Sequence, residues 1–440
     1  MKRKILSGAV GLLGLLIFGS LGLMSSPVLA QTVVIHAGTL LAVPGEAPLT
    51  KQSIIIEDGK ITAIIAGYVN PADYGEDTKM LHLVDQFLLP GLIDAHVHIL
   101  GELGPRSKLD TVEMNLSELT LRGVMFANRT LQAGFTTIRD LGGSPDMIFG
   151  LRNAINKGFV TGPRILASGS GVGVTGGHSD VDGFRYEILE LFALPTICDG
   201  PYECRGATRK TIKLGADVVK ITATGGVLSD TATGTGQQIF DDELVEIVAT
   251  AHSLGRKVAA HAHDADGIIA ALRAGVDSIE HGTYTDAAAI ELFIATGAYL
   301  VPTLLAGKTV VDMAKNTDIF PPAIKAKALV VGADMLDNFT NAYESGVKIA
   351  FGTDSGVSRH GDNAREFLLM QEGGMSPVEL IISATINGAD LLGLSDEIGT
   401  IEVGKTADLI GVNGDPLADI SELLDVDFVM ARGRVIKEVQ

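Results

Sequence analysis

The sequence predicts an α/β fold: a (β/α)8 barrel that carries a small β-sandwich domain formed from both chain ends. Three observations predict it. The middle of the chain alternates short apolar strands with helical stretches, the two ends are short strands broken by turns, and nearly every central strand stops at His, Asp, Arg, Lys or Thr. Barrels of this kind place their chemistry at the C-terminal ends of their strands. An open doubly wound sheet would also set ligands at strand ends and is the competing architecture.

Residues 1–30 read as a signal peptide. Lys2, Arg3 and Lys4 form a basic start, Ile5 to Leu23 an apolar stretch, and Val28-Leu29-Ala30 a small-residue cleavage site, so Gln31 is the expected new N-terminus. An uncleaved anchor is the alternative, because the apolar stretch is about long enough to span a bilayer. No later run approaches that length, so no stable membrane span is expected after cleavage and the chain is expected in the periplasm or secreted. Residues 31–89 carry the strands Val33-Val34-Ile35, Leu40-Leu41-Ala42 and Ser53-Ile54-Ile55-Ile56, then the hairpin turn Glu57-Asp58-Gly59-Lys60 and Ile61 to Ile65. Residues 398–440 have the same texture, with turns at Asn413-Gly414-Asp415-Pro416 and Arg432-Gly433. Residues 90–397 supply eight candidate barrel strands: Gly91–His98, Phe135–Asp140, Arg164–Ser168, Asp217–Thr222, Lys257–His263, Ser278–His281, Tyr299–Thr303 and Lys348–Asp354. Helical stretches such as Asp241–Leu254, Asp266–Arg273 and Asp286–Ala295 separate several of them.

Composition narrows the function. Of 440 residues, 46% are hydrophobic and 20% charged, with 53 Gly and 15 Pro, which excludes disordered, collagenous and disulfide-scaffold chains. A formal charge of -19 argues against nucleic acid as partner and leaves small molecules or peptides. The two cysteines, Cys198 and Cys204, flank a turn; a short-loop disulfide and two free thiols both fit, and a thiolate metal site does not.

The chemistry lies in the strand ends. His96 and His98 stand at i and i+2 of the first strand, so both imidazoles face one way and can reach one metal ion. Lys220 lies in the fourth strand, His261 and His263 end the fifth, His281 the sixth and Asp354 the eighth. Each alone is more often a buried, hydrogen-bonded group than a ligand. Their convergence on one barrel mouth is what points to a metal site. Gly169-Ser170-Gly171-Val172-Gly173 lacks the Gly-Lys-Ser/Thr of a phosphate loop and reads as a barrel loop. His36, His82 and His252 lie away from the barrel strand ends and read as surface or packing residues.

Pro90-Gly91-Leu92-Ile93-Asp94-Ala95-His96-Val97-His98, Val219-Lys220-Ile221, Ala260-His261-Ala262-His263, Ile279-Glu280-His281-Gly282 and Gly352-Thr353-Asp354-Ser355-Gly356 resemble, in order and spacing, the binuclear metal-dependent amidohydrolase superfamily. Thr175-Gly176-Gly177-His178 and Thr224-Gly225-Gly226-Val227-Leu228-Ser229 are similar to its prolidase-like, imidazolonepropionase-related branch, which acts on Xaa-Pro, Xaa-Arg/Lys or N-acyl amino acids and includes ochratoxin-hydrolysing amidases. The resemblance covers nearly the whole chain after residue 30.

The resemblance implies that His96, His98 and Asp354 bind a buried metal ion, that His261 and His281 bind a more exposed one, and that a carboxylated Lys220 bridges the two. An ammonium cannot ligate a cation, whereas a carbamate made with CO2 offers anionic oxygens. Zn²⁺ suits these nitrogen and oxygen donors, with Mn²⁺, Co²⁺ or Fe²⁺ as alternatives. It further implies a metal-bridging hydroxide as nucleophile and Asp354 as general base and then general acid in cleavage of an amide bond. His178, His263, Arg139 and His360 are candidate substrate contacts, Arg139 because a guanidinium can grip a carboxylate with two bonds. Fold-level analogy implies a homo-oligomer. Two alternatives stay open: hydrolysis of a cyclic amide or lactone, and a barrel that binds metal or solute without catalysis.

Overall fold

The computed structural model describes residues 32–231 and 234–438. The expected signal peptide therefore lies outside the described residues. Among the described residues no helix is long and apolar enough to cross a membrane.

Strands β1 (Val33–Leu40), β2 (Leu49–Glu57), β3 (Lys60–Ala66) and β4 (Lys79–Pro90) come from the first part of the chain, and β13 (Leu409–Val412), β14 (Phe428–Ala431) and β15 (Arg434–Lys437) from the last. They form one seven-stranded sheet in the order β15-β14-β13-β4-β1-β2-β3. The two chain ends meet where β13 runs antiparallel to β4, with Leu409 opposite Pro90. Val33, Ile35, Ile54, Ile56, Leu409, Phe428 and Met430 make its apolar core. Burying such a face is the main drive that brings the two ends together.

Between them run eight parallel strands: β5 (Leu92–Val97), β6 (Phe135–Asp140), β7 (Arg164–Ala167), β8 (Val218–Thr222), β9 (Lys257–Ala262), β10 (Ser278–His281), β11 (Tyr299–Val301) and β12 (Lys348–Ile349). One or more helices follow each strand. The strands fall into sheets β5-β6-β7 and β12-β11-β10-β9-β8, and backbone hydrogen bonds span both seams. Asp217 N donates to Ala167 O and Val172 N to Lys220 O at one; Ala95 N donates to Phe351 O, Asp354 N to His96 O and His98 N to Ser355 O at the other. The eight strands thus make a continuous ring. The helices begin and end where local chemistry allows: Asp264 and Asp286 cap Ala265–Ala274 and Ala287–Thr296 with their carboxylates, and left-handed Gly275 and Gly297 stop them.

Six of the eight strands are shorter than the sequence predicts, five of them by one or two residues and the last by five. Tyr299–Thr303 ends at Val301 and Lys348–Asp354 at Ile349. Thr303 and Asp354 both have left-handed backbones, with φ of 51° and 55°, so neither continues an extended strand. Cys198 and Cys204 are joined as a disulfide, so the pair of free thiols is set aside.

Candidate functional site

Alternation along the strands aims the polar residues inward. In β5, Ile93 and Ala95 pack outward with Ala389 and Leu391 of the helix Ile386–Leu392, which leaves Asp94, His96 and His98 on the opposite side. In β8 and β9, Val219, Ile221, Val258, Ala260 and Ala262 belong to the main core between barrel and helices. Lys220 and His261 therefore point into the barrel. β10 departs from this pattern. Ile279 is in the outer core, so Glu280 faces inward, and the φ of 72° at His281 swings the very next side chain inward as well. A positive φ on a residue other than glycine is strained and collects at functional sites. His281, Thr303 and Asp354 share it here.

Two clusters result. In the first, ligand-capable atoms of His96, His98 and Asp354 lie within 4.8 Å of one another; in the second, those of His261, His263 and His281 do. The His96 and His281 rings are 5.2 Å apart, centroid to centroid, so the clusters adjoin. Lys220, buried, stands between them. Its charge acts on His96 and Asp354 on one side and on His261, His263 and His281 on the other. Burial lowers the Lys220 ammonium to about 8, with Glu280 and Asp354 resisting.

Polar contacts fix which nitrogen of each ring is free. His98 Nδ1 lies 3.1 Å from the carbonyl of Gly142, which can only accept, so Nδ1 carries hydrogen and Nε2 faces Asp354 Oδ1 at 3.2 Å. His96 Nδ1 is 2.9 Å from the Glu280 carboxylate, a close charge contact without hydrogen-bond alignment, and its Nε2 is 3.6 Å from the same Asp354 oxygen. Thr303 donates its hydroxyl hydrogen to Pro302 O, so His281 Nδ1 must donate to Thr303 Oγ1 at 2.6 Å, leaving Nε2 open. His261 Nε2 lies 3.4 Å from Gly225 O, which leaves Nδ1 open.

The electrostatics agree. Desolvation lowers His96 to about 4 and His263 to about 3, and depresses His261 and His281 well below the usual range, so these rings are neutral, with lone pairs to offer. His98 differs: burial works against its charge, but the Asp354 carboxylate holds it above the ordinary value. Asp354 stays below the ordinary carboxylate value despite burial because His96, His98 and Lys220 favour its charge.

These residues fit a divalent cation. Asp354 Oδ1 is buried and receives no well-directed hydrogen bond among the described residues. Two imidazole nitrogens converge on that oxygen. Lone pairs facing one another at this range require a positive centre between them, a proton or a metal ion. A second such set, all imidazole, lies beside Lys220.

The remaining candidates separate. The His178 ring lies tilted against His261 with centroids 4.3 Å apart, and its Nδ1 is 2.6 Å from Ser229 Oγ, so it sits at the second cluster. Gly226 makes room for it: a Cβ there would fall 2.1 Å from the His178 ring. His263 is tethered by Nδ1 to Thr283 Oγ1 at 2.8 Å and stacks on His281. Arg139 corrects the expectation of a substrate contact. It is 2% exposed, and its guanidinium donates to Ala95 O, Ser278 Oγ and Glu280 Oε1, beneath the clusters. Its partners inside the barrel leave no bidentate face for a ligand. His360 is likewise enclosed, 1% exposed, with Nε2 2.7 Å from Gly101 O and its ring against Phe126; it braces the segment after His98.

Sequence reasoning missed the residues that orient these ones. Glu280, held at about 2 by Arg139 and His96 against burial, fixes His96. Asp94 accepts from Thr353, Asn363 and the His96 backbone, and Asp140 from the Ile99 and Gly142 backbone. Thr303, Thr283 and Ser229 do the same for three imidazoles. The available signal was their spacing, one or two residues from a ligand or at the end of the next strand.

The amidohydrolase family profile matches residues 87–436. The chain belongs to the amidohydrolase family. It is 33% identical over 413 residues to the ochratoxinase of Aspergillus niger, an alignment covering 89% of this chain and 83% of that one. Among solved amidohydrolase structures, it is similar to a Xaa-Pro dipeptidase with bound methionine in the active site, at 41% identity and a TM-score of 0.86, covering 92% of this chain and 99% of the other. It is also similar to a prolidase complexed with N-methylphosphonate-L-proline, at 30% identity and a TM-score of 0.82, covering 93% and 100%. The chain is an amidohydrolase of the prolidase-like branch, a hydrolase acting on C–N bonds.

Proposed function

We propose that this amidohydrolase is an exported dipeptidase-type amidase that releases an amino acid from Xaa-Pro or other dipeptides, or from N-acyl amino acids, ochratoxin-type amides included. The adjoining clusters around Lys220 carry the reading, because they pair a carboxylate-bearing donor set with an imidazole set. The dipeptidase, prolidase and ochratoxinase relatives support the choice of bond. The Cys198–Cys204 disulfide supports an oxidising compartment and so export.

His96, His98 and Asp354 would hold one divalent ion and His261 and His281 the other, with Zn²⁺ the best match to the donors. When bound, such ions supply Lewis acidity, which acidifies water and polarises a carbonyl. Lys220 would bridge them as a carbamate: its neutral amine adds to CO2 and loses a proton, and a side chain lowered to about 8 offers more neutral amine near pH 7 than an ordinary lysine. Asp354 accepts the proton of the attacking water and returns it to the leaving amine, which departs neutral as the C–N bond breaks. His178, beside the imidazole cluster, and His263, within it, contact the substrate, His178 at its carbonyl or carboxylate.

The test is a mass-spectrometric screen of purified protein against Xaa-Pro, Xaa-Arg/Lys and N-acyl amino acid libraries, with bound metal measured in parallel. Release of the C-terminal amino acid, abolished by a chelator and restored by Zn²⁺, is the expected result. Hydrolysis confined to cyclic amides or lactones would move the reading to another bond. No turnover with two ions bound would leave a binding barrel.

A further inference from the structure

Lys327 lies on the long helix Pro322–Glu344, outside the two clusters, yet its ammonium reaches the mouth of the barrel. Nζ donates to Gly226 O at 2.9 Å and to Ser229 O at 2.8 Å, at the two ends of one short stretch after β8. That stretch is the floor on which His178 stands, since Gly226 abuts the ring and Ser229 Oγ meets its Nδ1. Between those ends Val227 and Leu228 pack with Val310, Ala314 and Ala328 of the two helices that follow β11. The loop is thus docked on a helix pair by an apolar contact framed by two charge-assisted bonds.

The helix pair is a firm reference. At Gly332 a Cβ would lie 2.4 Å from Val311, so helices Leu304–Asn316 and Pro322–Glu344 touch closely. The first of them starts directly after Thr303, the residue that orients His281. Asp182 and Asp230 lie near enough to Lys327 to favour its charge. One ammonium therefore ties the loop carrying the floor of His178 to a helix packed against the one that follows Thr303.

We infer that Lys327 is a positioning residue that sets His178 for substrate by holding the carbonyls of Gly226 and Ser229. The inference rests on the reading of His178 as a substrate contact. Removing the ammonium leaves both carbonyls without their charged donor and frees the loop; the apolar dock remains, so the barrel stays folded.

The experiment compares Lys327→Met, Lys327→Arg, Ser229→Ala and Lys327→Met/Ser229→Ala in the holoenzyme, reading kcat and KM, bound metal, and deuterium uptake by backbone amides. Lys327→Met is expected to lower kcat/KM about tenfold, mostly through KM, and the double variant to be no worse than the single ones, because all act through His178. Lys327→Arg keeps charged donors and should recover most of the loss. Uptake should rise in residues 174–180 and 224–231 and stay unchanged at 90–100, with metal content unaltered. Additive losses, an unchanged kcat/KM, or loss of metal along with KM would overturn the inference. Should the wild type cleave no amide, or His178→Asn prove silent, the substrate reading fails, and deuterium uptake at 174–180 alone decides whether Lys327 positions that loop.

Discussion

The two clusters at the barrel mouth both present imidazoles and differ in what supports them. In the first, His96 rests on buried charge, Glu280 and Arg139 paired at 2.8 Å, with Asp94 and Asp140 wholly enclosed nearby, and only His98 leans on a neutral group, Gly142 O. His261, His263 and His281 rest on neutral groups, namely Gly225 O, Thr283 and Thr303. The first cluster brings its own anionic charge to a cation. The second brings none, and gains it only if Lys220 becomes a carbamate. Two cation sites of one barrel should therefore differ in affinity, in sensitivity to substitution and in dependence on Lys220.

The largest expected effect tests the one ligand that also moves a proton. Asp354→Asn keeps the shape and removes the base, so kcat should fall about 10³-fold or more while the protein stays folded. A variant that retained a tenth of wild-type kcat would show that Asp354 only orients.

The buried-charge side should also be the brittle one. Glu280→Gln would leave the Arg139 guanidinium enclosed without its counter-charge and remove the charge that faces His96 Nδ1. Removing one partner of a buried pair costs about 3–5 kcal/mol, and chemical unfolding would read it. An unfolding free energy within 1 kcal/mol of wild type, roughly the worth of a surface ion pair, would mean that water reaches the pair and that the contrast between clusters is weaker than drawn.

Much of this arrangement was legible in the sequence, and the exceptions have one cause. The strand-end histidines, Lys220 and Asp354 could be found because each sits at the end of an apolar run, and alternation said which way His96 and His98 point. Glu280 could not, because a strand that shows His281 to the mouth should hide its neighbour; only the left-handed backbone at His281 brings both inward. Thr303 and Asp354 were placed inside strands for the same reason, since sequence carries no sign of a positive φ on a residue other than glycine. Arg139 was misread as facing ligand, because its direction was right and the depth of its partners was not visible. That the two chain ends build one β domain was anticipated from texture alone; that they meet where β4 pairs with β13, and the order of seven strands in one sheet, were not.

Chelation should resolve the two clusters by occupancy. Titrating the holoenzyme with a chelator is expected to take bound metal from two ions to one before the second leaves, the imidazole cluster emptying first, and Lys220→Ala should start at one. Simultaneous loss of both ions would show that they bind as a unit and that the difference in support does not reach affinity.

Thr303→Val is the mildest and most discriminating change. It is nearly isosteric and leaves the His281 ring in place, but removes the oxygen that accepts from Nδ1 and so frees the ring to take the wrong tautomer. Losing such an outer partner lowers metal affinity about 10- to 100-fold. The loss should fall on the second ion only, with the first still bound at wild-type strength, because nothing in the buried-charge network touches Thr303 Oγ1. Valine also tolerates the left-handed backbone at this position no better than threonine, so its Tm should be compared with that of Thr303→Ser, which keeps the hydroxyl. Equal metal loss in both variants would assign the effect to the backbone, and equal loss from both ions would join the clusters into a single electrostatic unit.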